Sequence, residues 1–98
     1  MKEAEIERYL VREMRKLGAT VRKVQWIGVT GAPDRVVLLS GFRMFWVELK
    51  APHGKVSMRQ IREHRMLRDH GQIVHVLRSK QEIDFLVAGL KVTLPCLQ

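Results

Sequence analysis

Asp34, Glu48 and Lys50 are the residues whose types and spacing point to chemistry. Two carboxylates and a primary amine at one point can handle a divalent cation and a phosphate. Hard cations such as Mg²⁺ take a few carboxylate oxygens, often a backbone carbonyl, and keep several waters that a substrate phosphate can replace. Whether the three residues meet depends on the stretch from Gly31 to Lys50. There Gly31-Ala32-Pro33-Asp34 leads into the apolar run Arg35-Val36-Val37-Leu38-Leu39, a Ser40-Gly41 turn follows, and Arg43-Met44-Phe45-Trp46-Val47-Glu48-Leu49-Lys50 closes the unit. Two apolar runs around a glycine turn predict a β-hairpin. Asp34 then lies at the mouth of one strand, with Glu48 and Lys50 near the end of the next. Side chains alternate along a strand, so Glu48 and Lys50 share a face and Leu49 points the other way. In this arrangement Asp34 and Glu48 supply carboxylates, the Leu49 carbonyl is a third ligand, and Lys50 lies beside the water or the phosphate. The plainer reading is an exposed Glu48–Lys50 ion pair on an edge strand, with Asp34 a turn residue after Pro33. Against it, charges flanked by Phe45, Trp46 and Val47 are costly to desolvate. Carboxylates brought close also repel unless a cation or a proton intervenes.

The elements that must hold this hairpin are legible on either side. From Lys2 to Leu17, Ile6, Leu10, Met14 and Leu17 recur at helical spacing, and Gly18 stands where the helix ends. At about 100° per residue Glu3 and Glu7 fall in line with Leu10 and Met14, while Glu5 points away. Acids in a first turn also favour the positive end of a helix by a few tenths of a kcal/mol, which is reason enough for either. Thr20 to Ile27 alternates as a strand, with Val21, Val24 and Trp26 among polar neighbours. On it Arg22 and Lys23 are candidates to line a phosphate backbone, against a merely solvated strand face. Gly28-Val29-Thr30-Gly31 is a flexible approach to Pro33, which fixes its own φ and biases Ala32 toward extended geometry. Arg35 either pairs with Asp34 or binds a phosphate.

Beyond Lys50, the loop Ala51-Pro52-His53-Gly54-Lys55 sets His53 and Lys55 beside the site. Ser57-Met58-Arg59-Gln60 fits a capping box, with Ser57 as N-cap and Gln60 reaching back to its backbone N–H. The helix expected from Met58 to about His70 has Ile61, His64 and Leu67 on its inner face. Arg59, Arg62, Arg65 and Arg68 drift around it as a basic surface suited to straddling a phosphate backbone. A solvated exterior with Glu63 and Asp69 as partners is the alternative, and such surface pairs are worth little. Gly71 ends this helix, Gln72 to Arg78 alternates as a strand, and Ser79-Lys80-Gln81-Glu82 is a second capping box opening a helix through Ile83, Leu86, Val87 and Leu90. His53, His64, His70 and His75 form no ligand pair and read as structural or surface groups, His53 being the one whose loop borders the site. The apolar tail Val92 to Leu97 is expected to cover a sheet edge or a partner subunit, with Cys96 a packing residue. The order α-β-β-β-α-β-α, with a strand-helix-strand crossover late in the chain, predicts a mixed sheet.

Composition narrows the class independently. The 98 residues have room for one compact domain, 1–98, and 46% hydrophobic residues are enough for a core. Eighteen Lys and Arg against 10 Asp and Glu give a formal charge of +8, which points to a polyanion such as nucleic acid. No apolar run approaches the ~20 residues of a spanning helix, so an anionic membrane partner is not expected. Met1 to Lys16 is densely charged and unlike a signal peptide. The single Cys96 excludes an intrachain disulfide and a thiolate zinc cluster. The chain reads as intracellular, in a cytoplasm, or that of a host if phage-encoded, and not secreted.

Taken together, Pro33-Asp34, a hydrophobic strand, a short turn and Glu48-Leu49-Lys50 resemble the signature of the PD-(D/E)XK nuclease superfamily. The finer pattern of Gly31, Pro33-Asp34-Arg35, then Val47-Glu48-Leu49-Lys50-Ala51-Pro52, then Gly54-Lys55, Ser57 and Gln60 resembles its VRR-NUC branch in the small stand-alone form. The resemblance covers most of the chain, roughly Glu3 to Leu86. It implies an α/β, restriction-endonuclease-like αβββαβ core with a mixed central sheet flanked by helices. It also implies a Mg²⁺- or Mn²⁺-dependent phosphodiesterase acting as a homodimer on branched DNA such as four-way Holliday junctions, leaving a 5′-phosphate and a 3′-hydroxyl. A helix-1 acid that reaches the metal is also implied. Matching from Glu7-Arg8 through Leu10-Val11 to Gly18 selects Glu7, with Glu3 in reserve. A glutamine beside the catalytic lysine recurs as well, so Gln60 has a functional reading beside its capping one. The expected function is thus a structure-specific DNA endonuclease with Asp34, Glu48, Lys50, Glu7 and Gln60 at the site and Arg22, Lys23, Arg35, His53, Lys55, Arg59 and Arg62 toward DNA. The alternatives are a non-catalytic DNA-binding module on the same scaffold, and a flap-cutting or restriction-like nuclease.

Overall fold

In the computed structural model, which describes residues 2–93, the chain forms α1 (Glu3–Lys16), β1 (Thr20–Lys23), β2 (Arg35–Leu38), β3 (Met44–Leu49), α2 (Met58–Asp69), β4 (Val74–Leu77) and α3 (Lys80–Thr93). This is the expected element order. The apolar stripe of α1 is fully inward, with Ile6, Leu10 and Met14 all at 0% exposure. Its end is set by Gly18, whose φ of 79° lets its N–H reach the Arg15 carbonyl at 2.9 Å and the Ala19 N–H reach Met14 at 3.1 Å. That paired closure is a Schellman motif, which needs the left-handed conformation that glycine adopts without a Cβ penalty.

The four strands lie in the order β1-β2-β3-β4, the first three antiparallel and β3 with β4 parallel, so the sheet is mixed. In the hairpin, Arg35 faces Val47 and Leu38 faces Met44 across the ladder. Phe45, Val47 and Leu49 of β3 join Val37, Leu77, Ile83 and Val87 in a core closed by the α1 stripe. Alternation therefore turns Met44, Trp46 and Glu48 to the other face of the sheet, where α2 crosses between β3 and β4. One face of β3 is apolar against α1 and α3; the other presents a carboxylate to α2.

Four expectations about the elements shift. The first strand stops at Lys23, short of Ile27. Val24 N–H still bonds the Asp34 carbonyl at 3.0 Å, but the next position on the neighbouring strand is Pro33, which has no N–H to continue a ladder. Trp26 instead turns its ring edge-on to Trp46, with centroids 5.7 Å apart. The strand expected over Gln72 to Arg78 is confined to Val74–Leu77, with the Ile73 carbonyl still accepting from Trp46 N at 2.8 Å and the Gln72 side chain accepting from the Trp46 indole N–H at 3.0 Å. On α2, His64 and Leu67 are buried as expected, but Ile61 is exposed. The second capping box forms in a shifted way: Ser79 Oγ accepts from Glu82 N at 3.1 Å, while the Glu82 carboxylate takes the N–H of Arg78 at 2.5 Å, one residue before the cap. Among the described residues no helix is long and apolar enough to cross a membrane. Cys96 and most of the apolar tail lie outside the described residues.

Candidate active site

Pro33 and the turn after β2 set the two acids at the same end of the hairpin. Asp34 immediately precedes β2, and its Oδ2 accepts the Leu49 N–H at 2.7 Å, tying the loop to the end of β3. Glu48, the residue before Leu49, is only 1% exposed and is the one acid buried in the described chain. Its carboxyl is pushed up to about 8, by burial first, then by hydrogen bonding to the Asp34 carboxyl and the charge of that group, with Lys50 opposing. The Lys50 ammonium lies 3.8 Å from Glu48 Oε2. Alternation predicted this shared face, and tertiary packing closes it over.

Helix α2 supplies the remaining partners. Gln60 Nε2 donates to Glu48 Oε2 at 3.0 Å, and its Oε1 accepts the Ser57 N–H at 2.9 Å. Ser57 Oγ in turn accepts from Gln60 N at 3.1 Å, completing the capping box. One end of the Gln60 amide thus serves the cap, and the other meets Glu48 rather than Lys50. His64 Nε2 lies 3.3 Å from Glu48 Oε1, with its side chain 3% exposed. The pattern of α2 points His64 inward without naming its partner; its spacing of four from Gln60, one helical turn on the same face, is the signal that it reaches the same carboxylate. Burial, and then the nearby Arg68, hold its imidazole below the usual histidine range.

The acids of α1 divide differently from the sequence reading. Glu7 forms an ion pair with the Arg35 guanidinium. Arg35 shares the face of Val37, the face covered by α1, so this pair sits across the sheet from Glu48. Arg35 also donates from Nη1 to the backbone carbonyl of Asp34 at 2.9 Å, and so neither pairs with the Asp34 carboxylate nor lies open to a phosphate. Glu3, nearer the start of α1, adds negative charge that acts weakly on Glu48 and on Arg35. Among the basic candidates, Arg22, Lys23, Arg59, Arg62, His53 and Lys55 are exposed. Arg59 Nη1 lies 3.4 Å from Thr30 Oγ1, so the start of α2 borders the loop leading to Asp34. Arg68 is instead structural, donating to the Val74 carbonyl at 2.8 Å. Arg78, expected only as the end of a strand, anchors the loop holding His53 and Lys55 by donating to the Gly54 carbonyl at 3.1 Å.

The donor chemistry suits a hard divalent cation. Two carboxylates close enough to share a hydrogen bond need either a proton or a cation between them, and Lys50 offsets only part of the charge. Among the described residues no three His, Cys, Asp or Glu gather as a metal cluster. The donors available at this point are therefore Asp34, Glu48 and neighbouring backbone carbonyls, with water and phosphate completing a shell.

A mixed α/β sheet with a buried glutamate beside a half-buried aspartate and a lysine at the end of a hairpin is the arrangement of the PD-(D/E)XK nuclease class. No protein-family model matches the chain. A curated relative, "Putative nuclease p44" of Acyrthosiphon pisum secondary endosymbiont phage 1, is 40% identical over 88 residues, covering 90% of this chain and 95% of that protein. A solved structure described as "VRR_NUC domain" superposes with a TM-score of 0.84 at 34% identity, covering 90% of this chain and 96% of the other. The chain therefore belongs to the VRR-NUC family and is a nuclease of that type.

Proposed function

We propose that this protein is a Mg²⁺- or Mn²⁺-dependent endonuclease that cuts branched DNA, four-way junctions above all, as an intracellular homodimer with one nuclease domain spanning 1–98. The observation that carries the catalytic reading is the burial of Glu48 against Asp34 with Lys50 3.8 Å away. Asp34, Glu48 and the Leu49 carbonyl would hold the cation. When bound, it supplies a water of lowered pKa and neutralises charge developing on the phosphate. Lys50 orients the attacking water or a phosphate oxygen, and in-line attack leaves a 5′-phosphate and a 3′-hydroxyl. Glu3 rather than Glu7 assists from α1, since Glu7 is committed to Arg35. Arg22, Lys23, His53, Lys55, Arg59 and Arg62 follow the DNA backbone, consistent with the formal charge of +8. A domain this small contacts little DNA, and a twofold pair is the economical way to nick a symmetric junction twice.

The test is cleavage of labelled four-way junction, flap and linear duplex DNA with Mg²⁺ or Mn²⁺, comparing wild type with Asp34→Asn, Glu48→Gln and Lys50→Ala, alongside light scattering for the oligomeric state. The expected result is paired, metal-dependent nicks on the junction by a dimer, abolished by each substitution while binding persists. Preferred cutting of flaps or duplex overturns the junction reading. Binding without cleavage under either metal leaves a basic DNA-binding module.

A further inference from the structure

Glu48 is met from one side by two side chains that reach different oxygens. Gln60 Nε2 bonds Oε2 at 3.0 Å and His64 Nε2 lies 3.3 Å from Oε1. The two residues are one turn apart on α2, so a single rigid element supplies both. The terminal torsion of a glutamate is broad, and one hydrogen bond leaves the carboxylate free to swing about it. Two donors on opposite oxygens fix the plane. Which end of the Gln60 amide faces Glu48 is also determined, because its Oε1 is taken by the Ser57 N–H. Once Glu48 is ionised, as cation binding requires, a neutral imidazole can bond it only with the hydrogen on Nε2.

We infer that His64 is a positioning residue, forming with Gln60 a two-point clamp that presets the Glu48 carboxylate for a divalent cation. This rests on the metal-dependent reading above. A carboxylate offers about four lone-pair directions. The clamp takes one on each oxygen from the α2 side and leaves the others for the cation shared with Asp34. Partners of this kind, one bond removed from the metal, typically set metal affinity by roughly 10–100-fold.

The experiment is calorimetric binding of Mn²⁺ to metal-free protein, for wild type, His64→Leu and His64→Gln, with cleavage measured across Mn²⁺ concentration. His64→Leu fills the volume without a donor; His64→Gln restores a donor at a similar reach. The clamp predicts Mn²⁺ binding weakened by roughly 10–100-fold in His64→Leu and recovered to within a few-fold in His64→Gln. It also predicts a half-saturating Mn²⁺ concentration shifted in parallel, with turnover at saturating metal reduced far less. Mn²⁺ affinity unchanged in His64→Leu, or unrecovered in His64→Gln, overturns the clamp while leaving the nuclease reading intact. Should His64→Leu fail to fold, Gln60→Ala, at the less buried end of the clamp, decides in the same way: unchanged affinity overturns it. Wild-type protein that binds no Mn²⁺ and cleaves without metal overturns the metal-dependent reading itself, and the clamp with it.

Discussion

Asp34 is bound to Leu49: its Oδ2 accepts the Leu49 amide hydrogen at 2.7 Å, next to the glutamate with which it shares the site. The carboxylate therefore has two duties, closing the hairpin mouth and lending negative charge. Asp34→Asn separates them, since the amide oxygen can keep the Leu49 N–H while the amino group donates to Glu48. The expected outcome is a thermal midpoint no lower than wild type in metal-free buffer, with cleavage reduced at least ~100-fold, as for loss of a main electrostatic contributor. Asp34→Ala, leaving a buried amide unsatisfied, should lose ~1–3 kcal/mol of stability by urea unfolding as well.

Glu48 makes stability depend on pH in an unusual direction. Its carboxyl is raised from 4.5 to about 8 in the fold, so between those values the native state holds a proton that the unfolded chain has released. Unfolding is then favoured as pH rises through this window, because stability falls wherever the native state binds more protons. Metal-free protein should be more stable at pH 5.5 than at pH 8, and Glu48→Gln should flatten the slope. The stabilisation gained on adding Mg²⁺ should grow over the same interval, because the cation competes with that proton. Urea midpoints with and without Mg²⁺ check both signs.

Ser57 and Gln60 belong to one capping box but should respond differently. Ser57→Ala removes the Oγ acceptor of Gln60 N and costs about 1 kcal/mol of stability. Its backbone N–H remains to hold Gln60 Oε1, so cleavage should be close to wild type. Gln60→Ala loses stability of similar size and also the donor to Glu48, so cleavage should drop at least about tenfold. Parallel unfolding and cleavage assays separate the two.

Gly31 is a close-approach glycine. Its φ is 107°, and an added Cβ would lie 2.4 Å from the Arg59 carbonyl oxygen at the start of α2. Gly31→Ala should cost ~2–4 kcal/mol, combining left-handed strain with a backbone clash, and should lower cleavage by displacing the approach to Asp34. Gly28→Ala provides the control: its φ of 86° is strained too, but nothing lies within 4 Å of the added Cβ. Its cost should stay nearer 1 kcal/mol. Thermal midpoints of the two variants measure the difference.

By itself the sequence determined the parts that depend on local periodicity. The stripe of Ile6, Leu10 and Met14, the alternation placing Glu48 and Lys50 on one face, the Ser57–Gln60 box and the element order all follow from repeats of 3.6 or 2 residues and from turn chemistry. Asp34 and Glu48 were legible for the same reason, since a hairpin joins its own ends. The tertiary structure alone decided which distant surfaces those faces meet. Glu7 and Glu3 share a stripe, yet the sheet has two sides, and Arg35 on the α1 side takes Glu7. Strand β1 stops soon after Lys23 because, two residues on, the position opposite it is Pro33, a fact of pairing register that the strand's own pattern does not contain. His64 looked like any half-apolar helix histidine until α2 crossed the face of β3 and set it against a buried carboxylate. Periodicity states that a side chain points inward; only packing between elements far apart in sequence states what it meets there.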